Sequence, residues 1–338
     1  MLERRPRVAE VAARAGVSTA TVDRVINGRG GVHARTVARV EQALREVSTI
    51  AGRRRVVGLP AGSPRFDILL PADSGRSTEV LGEELRRLAE ARRLAVNVLG
   101  VERINPAALA AALRRCIAFG SRGVAFQGVD HPLVRDAVDD LRRAGIPVLT
   151  LCSDVAGIDR AAYVGVDNRA AGRTAGWLMG RFCRSPGTLA VVWGGQLYRS
   201  HEERESGFRA IIRREHPDLR IVELVDGNDD ADLNYRHVLD LLAAHQDLLG
   251  LYCVGGGQSG VARALEAAGR ARDVVLIGHN FNDETKPYLL SGTIDAIVHQ
   301  DMGAIARRTL DALTGNDPTP QSAAVPVEIV TRENMMHR

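Results

Sequence analysis

From Phe66 onward, short apolar runs alternate with amphipathic segments, and this alternation restricts the fold more than any other feature. Phe66–Pro71, Ala95–Gly100, Gly123–Gln127, Pro147–Cys152 and Ala162–Val166 read as strands. Ser77–Arg93, Pro106–Phe119 and Pro132–Ala144 between them carry helical spacing, with Val80, Leu81, Leu85 and Leu88 on one side of the first. A helix over Arg169–Cys183 follows, and the pattern restarts. Thr188–Trp193, Arg220–Val225, Leu248–Val254, Val274–Gly278, Asp295–His299 and Pro326–Val330 read as strands. Helices are expected near Glu202–Glu215, Asp232–Ala244, Ser259–Ala268, Glu284–Leu290 and Gly303–Leu313. Near-continuously apolar strands alternating with helices specify parallel sheets covered on both faces. The expected fold is therefore α/β, with two doubly wound lobes of about five strands each across 65–338. Ligands in such sheets bind beyond the carboxyl ends of the strands, so two facing lobes create a cleft.

The first 48 residues follow a different rule. Val8, Val11, Ala12 and Ala15 recur on one face of a helix. Gly16 breaks it, because a residue without Cβ turns there at little cost. Ser18 can cap a second helix, whose apolar stripe is Val22, Val25 and Ile26. Gly28, Gly30 and Gly31 end that helix, and Val37, Val40, Leu44 and Val47 line a third. Two short helices about a tight turn make a helix-turn-helix. Thr19, Ala20, Asp23 and Arg24 then face away from the small core. Ser18, Thr19, Ala20, Thr21, Arg24 and Asn27 are the candidate DNA contacts. Small and hydroxylated residues at a helix N-terminus approach base edges without clashing, and the helix dipole favours phosphate there. A solvated bundle that binds nothing is the bland alternative, and charge opposes it. Residues 1–55 carry 12 Arg against 5 acids, a net +7, whereas the chain as a whole is +4. A basic headpiece on a mildly acidic body is the electrostatic footprint of a DNA reader.

Val8–Ala15, Gly16-Val17-Ser18, Ala20-Thr21-Val22, Arg24-Val25 and Asn27-Gly28 resemble the headpiece signature of lactose-repressor-type (LacI/GalR family) regulators. Asp23 departs from it, since the family usually has Ser there, and an acid near phosphate weakens binding unless a cation pairs with it. The resemblance implies a sugar-binding, periplasmic-binding-protein-like (type I) effector domain over the rest of the chain. It also implies a homodimer, or a tetramer, on pseudo-palindromic operator DNA. Residues 49–64 read as a linker, where glycines and prolines oppose regular structure. The family's hinge helix, with an Ala-Arg-x-Leu core, is not matched there, so minor-groove wedging by a Leu is not expected.

Composition narrows the remaining possibilities. A single Lys, Lys286, stands against abundant Arg, which reads as codon bias. No apolar run follows the N-terminus and no stretch approaches the length of a membrane helix, so a cytoplasmic protein is expected. Cys116, Cys152, Cys183 and Cys253 are widely spaced without a CxxC pair, and buried reduced thiols are expected. No HExxH, GxSxG or Walker loop occurs, so no metal, cofactor or catalysis is expected.

The predicted strand ends carry the polar residues that a cleft requires: Asp73, Asp154, Asn168, Asn280 and Gln300, with Arg204 in the helix after Trp193 and Gly256 after Val254. Arg204-x-x-Gly207-Phe208 and Asp167-Asn168-x-x-Ala171-Gly172 resemble the family's own patterns, in which the Arg bonds sugar hydroxyls or an anionic group. Two departures stand out. Asn280 occupies a position where the family often has Asp, and Gly255-Gly256-Gly257 replaces a usual Asn-Asp. Each polar residue has a plainer reading as a cap or loop group. Trp193 can stack on a sugar or pack in the core, and Trp177 reads as core. Gly255-Gly256-Gly257-Gln258-Ser259-Gly260 also fits a dinucleotide fingerprint. The alternative it suggests is a nucleotide-dependent oxidoreductase with a fused headpiece. The next strand, ending Ile277-Gly278-His279-Asn280, lacks the ribose-binding acid that reading needs. The expected function is a sequence-specific transcriptional regulator, a repressor, controlled by a sugar-like or polyol effector between the lobes. It is not expected to be an enzyme or to bind membranes.

Overall fold

The structure, a computed structural model, describes residues 8–26, 36, 39, 40, 43, 64–195, 197–316 and 324–335. These fall into two compact units, one within residues 1–59 and the other within 60–338.

In the first unit α1 spans Val8–Ala15 and α2 Thr19–Ile26. Val11, Ala12 and Ala15 bury against Val22, Val40 and Ala43, so the apolar stripe of each helix finds its partner. Gly16 turns the chain with φ +60°, where a Cβ would be strained. The Val17 N–H closes the turn on the Ala12 carbonyl at 3.0 Å. Ser18 Oγ accepts from the Thr21 N–H at 3.2 Å, as an N-cap does. Arg39 Nη2 donates to the Ala15 carbonyl at 2.6 Å, occupying an orphan acceptor at the end of α1. Asn27, most of the third helix and the linker lie outside the described residues.

The second unit is two-lobed. In the first lobe β1 (Arg65–Pro71), β2 (Ala95–Val101), β3 (Gly123–Gln127), β4 (Val148–Leu151) and β5 (Ala162–Val164) form a parallel sheet ordered β2-β1-β3-β4-β5. Helices α3 (Arg76–Ala91), α4 (Pro106–Ala118) and α5 (Pro132–Arg143) connect them. After β5 come α6 (Asn168–Phe182), β6 (Gly187–Trp193), α7 (Arg199–Glu215), β7 (Leu219–Asp226), α8 (Ala231–Ala244) and β8 (Leu248–Cys253). Then follow α9 (Gln258–Ala267), β9 (Val275–His279), α10 (Lys286–Ser291), β10 (Ala296–His299), α11 (Met302–Thr314) and β11 (Glu328–Val330). The second sheet is ordered β11-β10-β9-β8-β6-β7. In each sheet the strand order reverses once, at β1/β3 and at β6/β8, which are the positions where such folds bind ligands.

Three features differ from the sequence expectation. β11 runs antiparallel to β10, so the second sheet is not purely parallel. An antiparallel edge strand needs no crossover helix, and periodicity does not reveal direction. Helix α11 follows the second run of strands yet packs on α3 in the first lobe, so the lobes share their chain. Trp177 is 50% exposed and not core. The buried face of α6 consists instead of Ala171, Gly172, Ala175, Gly176 and Met179. That small-residue face sets the distance to α7. A Cβ on Gly172 would lie 1.9 Å from the Arg204 carbonyl oxygen, and one on Gly207 would lie 2.3 Å from the Arg169 carbonyl oxygen. The helix carrying Arg204 is therefore seated backbone to backbone on α6.

Candidate functional site

In the headpiece, Ser18, Thr19, Ala20 and Arg24 are exposed and Thr21 is half-buried. The core uses Val22, with Val25 packed against it, which leaves the N-terminal turn of α2 open to solvent. Ser18 Oγ and Thr21 Oγ1 lie 2.9 Å apart, so these hydroxyls are partly engaged with each other. A short helix with an open N-terminus, small side chains and one arginine is equipped to read a groove.

In the two-lobed unit a cleft of about 90 Å³ lies between the lobes. The first lobe lines it with the β1–α3 loop (Ser74, Ser77 and Thr78 among others), with Gln127 after β3 and with Cys152 after β4. The second lobe contributes Ser200, His201 and Arg204 from α7, Asp229 from the β7–α8 loop and the glycine run after β8. His279 ends β9, Asn280 follows it and Gln300 follows β10. Both switch points open here. Ser200 N–H donates to Ser153 Oγ at 3.3 Å, and Asn282 Nδ2 to Ser77 Oγ at 3.3 Å, so hydrogen bonds also join the lobes beside the cleft.

Arg204 is 4% exposed. Its Nε donates to Asn168 Oδ1 at 2.8 Å and its Nη1 to the Val254 carbonyl at 2.7 Å. Asn168 is itself held, because its Nδ2 donates to the Tyr163 hydroxyl at 2.9 Å and the Cys152 carbonyl at 3.1 Å. A chain of hydrogen bonds thus links the guanidinium to the first lobe at the crossover. Asn280 Oδ1 and Gln300 Oε1 are buried without a hydrogen-bond partner, and so is Gln258 Oε1. Such acceptors are costly to bury unless something donates to them.

Of the residues proposed from sequence, Arg204, Gly256, Asn280 and Gln300 converge on the cleft. Asp73 does not line it, and is exposed at φ +51° in the loop after β1. Asp154 does not line it either. Its carboxylate accepts from Thr150 Oγ1 at 2.7 Å and from the Val155 N–H at 2.9 Å, and pairs with Arg160 at 2.6 Å. Local turn bonds thus satisfy it. Asn168 sits behind Arg204 and orients it. Trp193 is 8% exposed within the core and does not line the cleft, so it offers no stacking surface.

Sequence reasoning missed Asp229, His201 and Gln258. Asp229 follows β7, and the strand-end rule could have found it. Its carboxylate accepts from the Gly256 N–H, and Arg103 lies 4.0 Å from its other oxygen. The glycine run has a steric reason. A Cβ on Gly255 would lie 2.3 Å from Asp229 Oδ1, and Gly257 caps α9 at φ +70°. The run thus makes room for Asp229, and no carboxylate ends β9, as the dinucleotide reading would require.

Burial dominates the electrostatics. It pushes the Cys152 and Cys253 thiols up to about 12, so both are poor nucleophiles at neutral pH. His279, beneath the cleft, is held well below its ordinary value by burial and then by the nearby Arg204 and His201. Its Nε2 lies 2.7 Å from the Tyr252 hydroxyl, and Tyr252 stacks on Phe208 at 4.6 Å. Among the described residues no group of His, Cys, Asp and Glu could hold a metal, and no helix is long and apolar enough to cross a membrane.

Residues 7–48 match the family described as bacterial regulatory proteins, lacI family, and residues 66–315 match the periplasmic binding protein domain. Neither is an enzyme family. A D-ribose/D-allose-binding protein of Pseudomonas aeruginosa is 27% identical over 177 residues, 50% of this chain. The chain spans only 55% of that relative's length. Among solved structures, a solute-binding protein of an ABC transporter from Burkholderia graminis, in complex with D-arabinose, superposes with a TM-score of 0.77 at 20% identity. That match covers 83% of this chain and 99% of the other. A structure assigned to a LacI transcriptional regulator of Bacteroides fragilis gives 0.73 at 18% identity, covering 82% and 99%. At these identities the likeness is one of fold.

Proposed function

We propose that the chain, whose residues 66–315 belong to the periplasmic binding protein domain family and whose residues 7–48 match the lacI family of bacterial regulatory proteins, is a cytoplasmic repressor released or recruited by a small polyhydroxylated effector. One observation carries the effector half. A polar cleft at both switch points presents a buried arginine and two unpartnered amide oxygens, Asn280 Oδ1 and Gln300 Oε1. Hydroxyl groups donate to such oxygens and accept from such an arginine. The sugar-binding relatives support the same ligand class. The DNA half rests on the open N-terminal turn of α2 and the net +7 of residues 1–55. A homodimer would place two α2 helices on a pseudo-palindrome, with half-sites about one helical turn or less apart. A ligand that prefers one arrangement of the lobes then biases DNA affinity, and the bias is reciprocal.

The test separates the two halves. Operator selection with the full chain should yield a pseudo-palindrome. Arg24→Ala should weaken binding to all sequences with a shallower salt slope, whereas changes at Thr19 or Ala20 should alter base preference. Losing a hydrogen bond to a charged group costs about 1.5–3 kcal/mol, so Arg204→Ala should weaken effector binding roughly 10- to 150-fold in calorimetry. DNA binding without effector should survive. Unaltered operator preference in the Thr19 and Ala20 variants would refute the docking of α2, and unaltered effector affinity would remove Arg204 from the site.

A further inference from the structure

Arg204 is a nearly buried cation in the cleft wall, yet both of its hydrogen-bond partners are neutral: the Asn168 amide oxygen and the Val254 carbonyl. Among the described residues no carboxylate forms an ion pair with it. A buried guanidinium with only neutral partners is unusual, because charges taken out of water are normally paired. Two of its five N–H groups are engaged, which leaves three, including both on Nη2, for a ligand. The wall around it does not supply the missing charge. Asn280 follows β9, Gln300 follows β10 and Cys152 follows β4, and none of these is an acid. Of the two acids in the lining, Asp229 accepts from the Gly256 N–H and lies near Arg103, and Glu284, in the loop before α10, is exposed to solvent.

Resting on the reading of this cleft as the effector site, we propose that the effector is a polyhydroxy carboxylate, a sugar acid whose carboxylate pairs with Arg204. Its hydroxyls donate to Asn280 Oδ1 and Gln300 Oε1. A planar carboxylate matches the two-pronged face of a guanidinium. A phosphate dianion matches the site less well. The other cation in the lining, Arg76, is already bound by Glu83 and Glu79, and Asp229 opposes a second negative charge.

The experiment is calorimetry on the unmodified full chain, comparing polyhydroxy carboxylates with neutral and phosphorylated counterparts. The probes are D-gluconate against D-gluconamide and D-glucitol, and D-ribonate against ribitol, D-ribose and D-ribose 5-phosphate. At least one acid should bind roughly tenfold or more tightly than its neutral counterparts. Arg204→Gln should erase that preference, and Arg204→Lys should keep part of it. The amide comparison stands even if a variant misfolds. Neutral probes binding as tightly as the acids would overturn the charge assignment and leave the cleft as a polyol site. Preference for the phosphate over ribonate would overturn the carboxylate. Binding of no probe at millimolar concentration would count against this assignment and against the polyhydroxylated effector together.

Discussion

The two lobes share a topology and treat the polar residues at their strand ends in opposite ways. In the first lobe three such carboxylates are used locally, while Asp73 is exposed. Asp130 is paired with Arg135, Asp154 with Arg160 and Thr150, and Asp167 caps α6 through the Ala170 N–H at 2.8 Å. In the second lobe, the Asn280, Gln300 and Gln258 oxygens are without partners, and Arg204 keeps donors to spare. The contrast lies in the amides: Asp229 and Asp301 of the second lobe are also held locally, by the Gly256 and Ala304 N–H groups, whereas its Asn280 and Gln300 oxygens are left without partners beside the cleft. Position at a strand end therefore locates a crevice without identifying which groups bind. Hydrogen-bond satisfaction makes that distinction, because a satisfied carboxylate has little left to offer and a buried orphan acceptor has much.

The asymmetry can be broken most strongly at the seat of Arg204. Gly172→Val places side-chain atoms against the α7 backbone, where a Cβ alone would sit 1.9 Å from a carbonyl oxygen. Backbone cannot yield as a side chain does, so a cost of about 3 kcal/mol is expected, read as a lower urea midpoint at unchanged slope, with weakened effector binding. A neutral outcome would mean that the α6–α7 crossing is loose and that Arg204 is not rigidly placed.

Acid should expose the second lobe next. His279 titrates in the folded protein well below its ordinary value because it is buried. The folded state therefore takes up fewer protons than the unfolded one below pH 6.5. The stabilisation is present above that pH and is lost as the pH falls toward the folded value. One proton over this window amounts to about 1.4 kcal/mol between pH 7.5 and 5.5. His279→Gln should flatten that part of the urea-measured profile, and an unchanged slope would assign the acid sensitivity elsewhere.

The smallest effect belongs to the first lobe. Asp154→Asn removes a partly exposed ion pair with Arg160 and should cost about 0.5–1 kcal/mol. Effector affinity should stay within about twofold, since the carboxylate does not line the cleft. A tenfold loss of affinity would place Asp154 in the site and undo the contrast between the lobes.

Much of this architecture was legible beforehand for local reasons. Helix and strand periods, the Gly16 turn, the Ser18 cap and the alternation after Pro64 are properties of neighbouring residues, and the described elements follow them to within a few positions. Asn280 and Gln300 were legible because strand ends in doubly wound sheets share one rim, and Arg204 through the resemblance of Arg204-x-x-Gly207-Phe208 to the family's pattern. Trp177 was misread because a helix pattern does not say which side faces a neighbour, and here the small-residue face won through close backbone packing.

What the amino-acid order determined alone was therefore the set of elements, the two-lobed α/β class, the basic headpiece and the rim on which a ligand would sit. What the tertiary structure decided was pairing across distance. It put α11 back on the first lobe, brought Asp229 to Gly256, and set Asn168 behind Arg204 while leaving that arginine no anionic partner among the described residues. Local periodicity is encoded over a few residues. Whether a buried polar group is satisfied depends on atoms far away in the chain, and only the folded packing brings those atoms within hydrogen-bond reach.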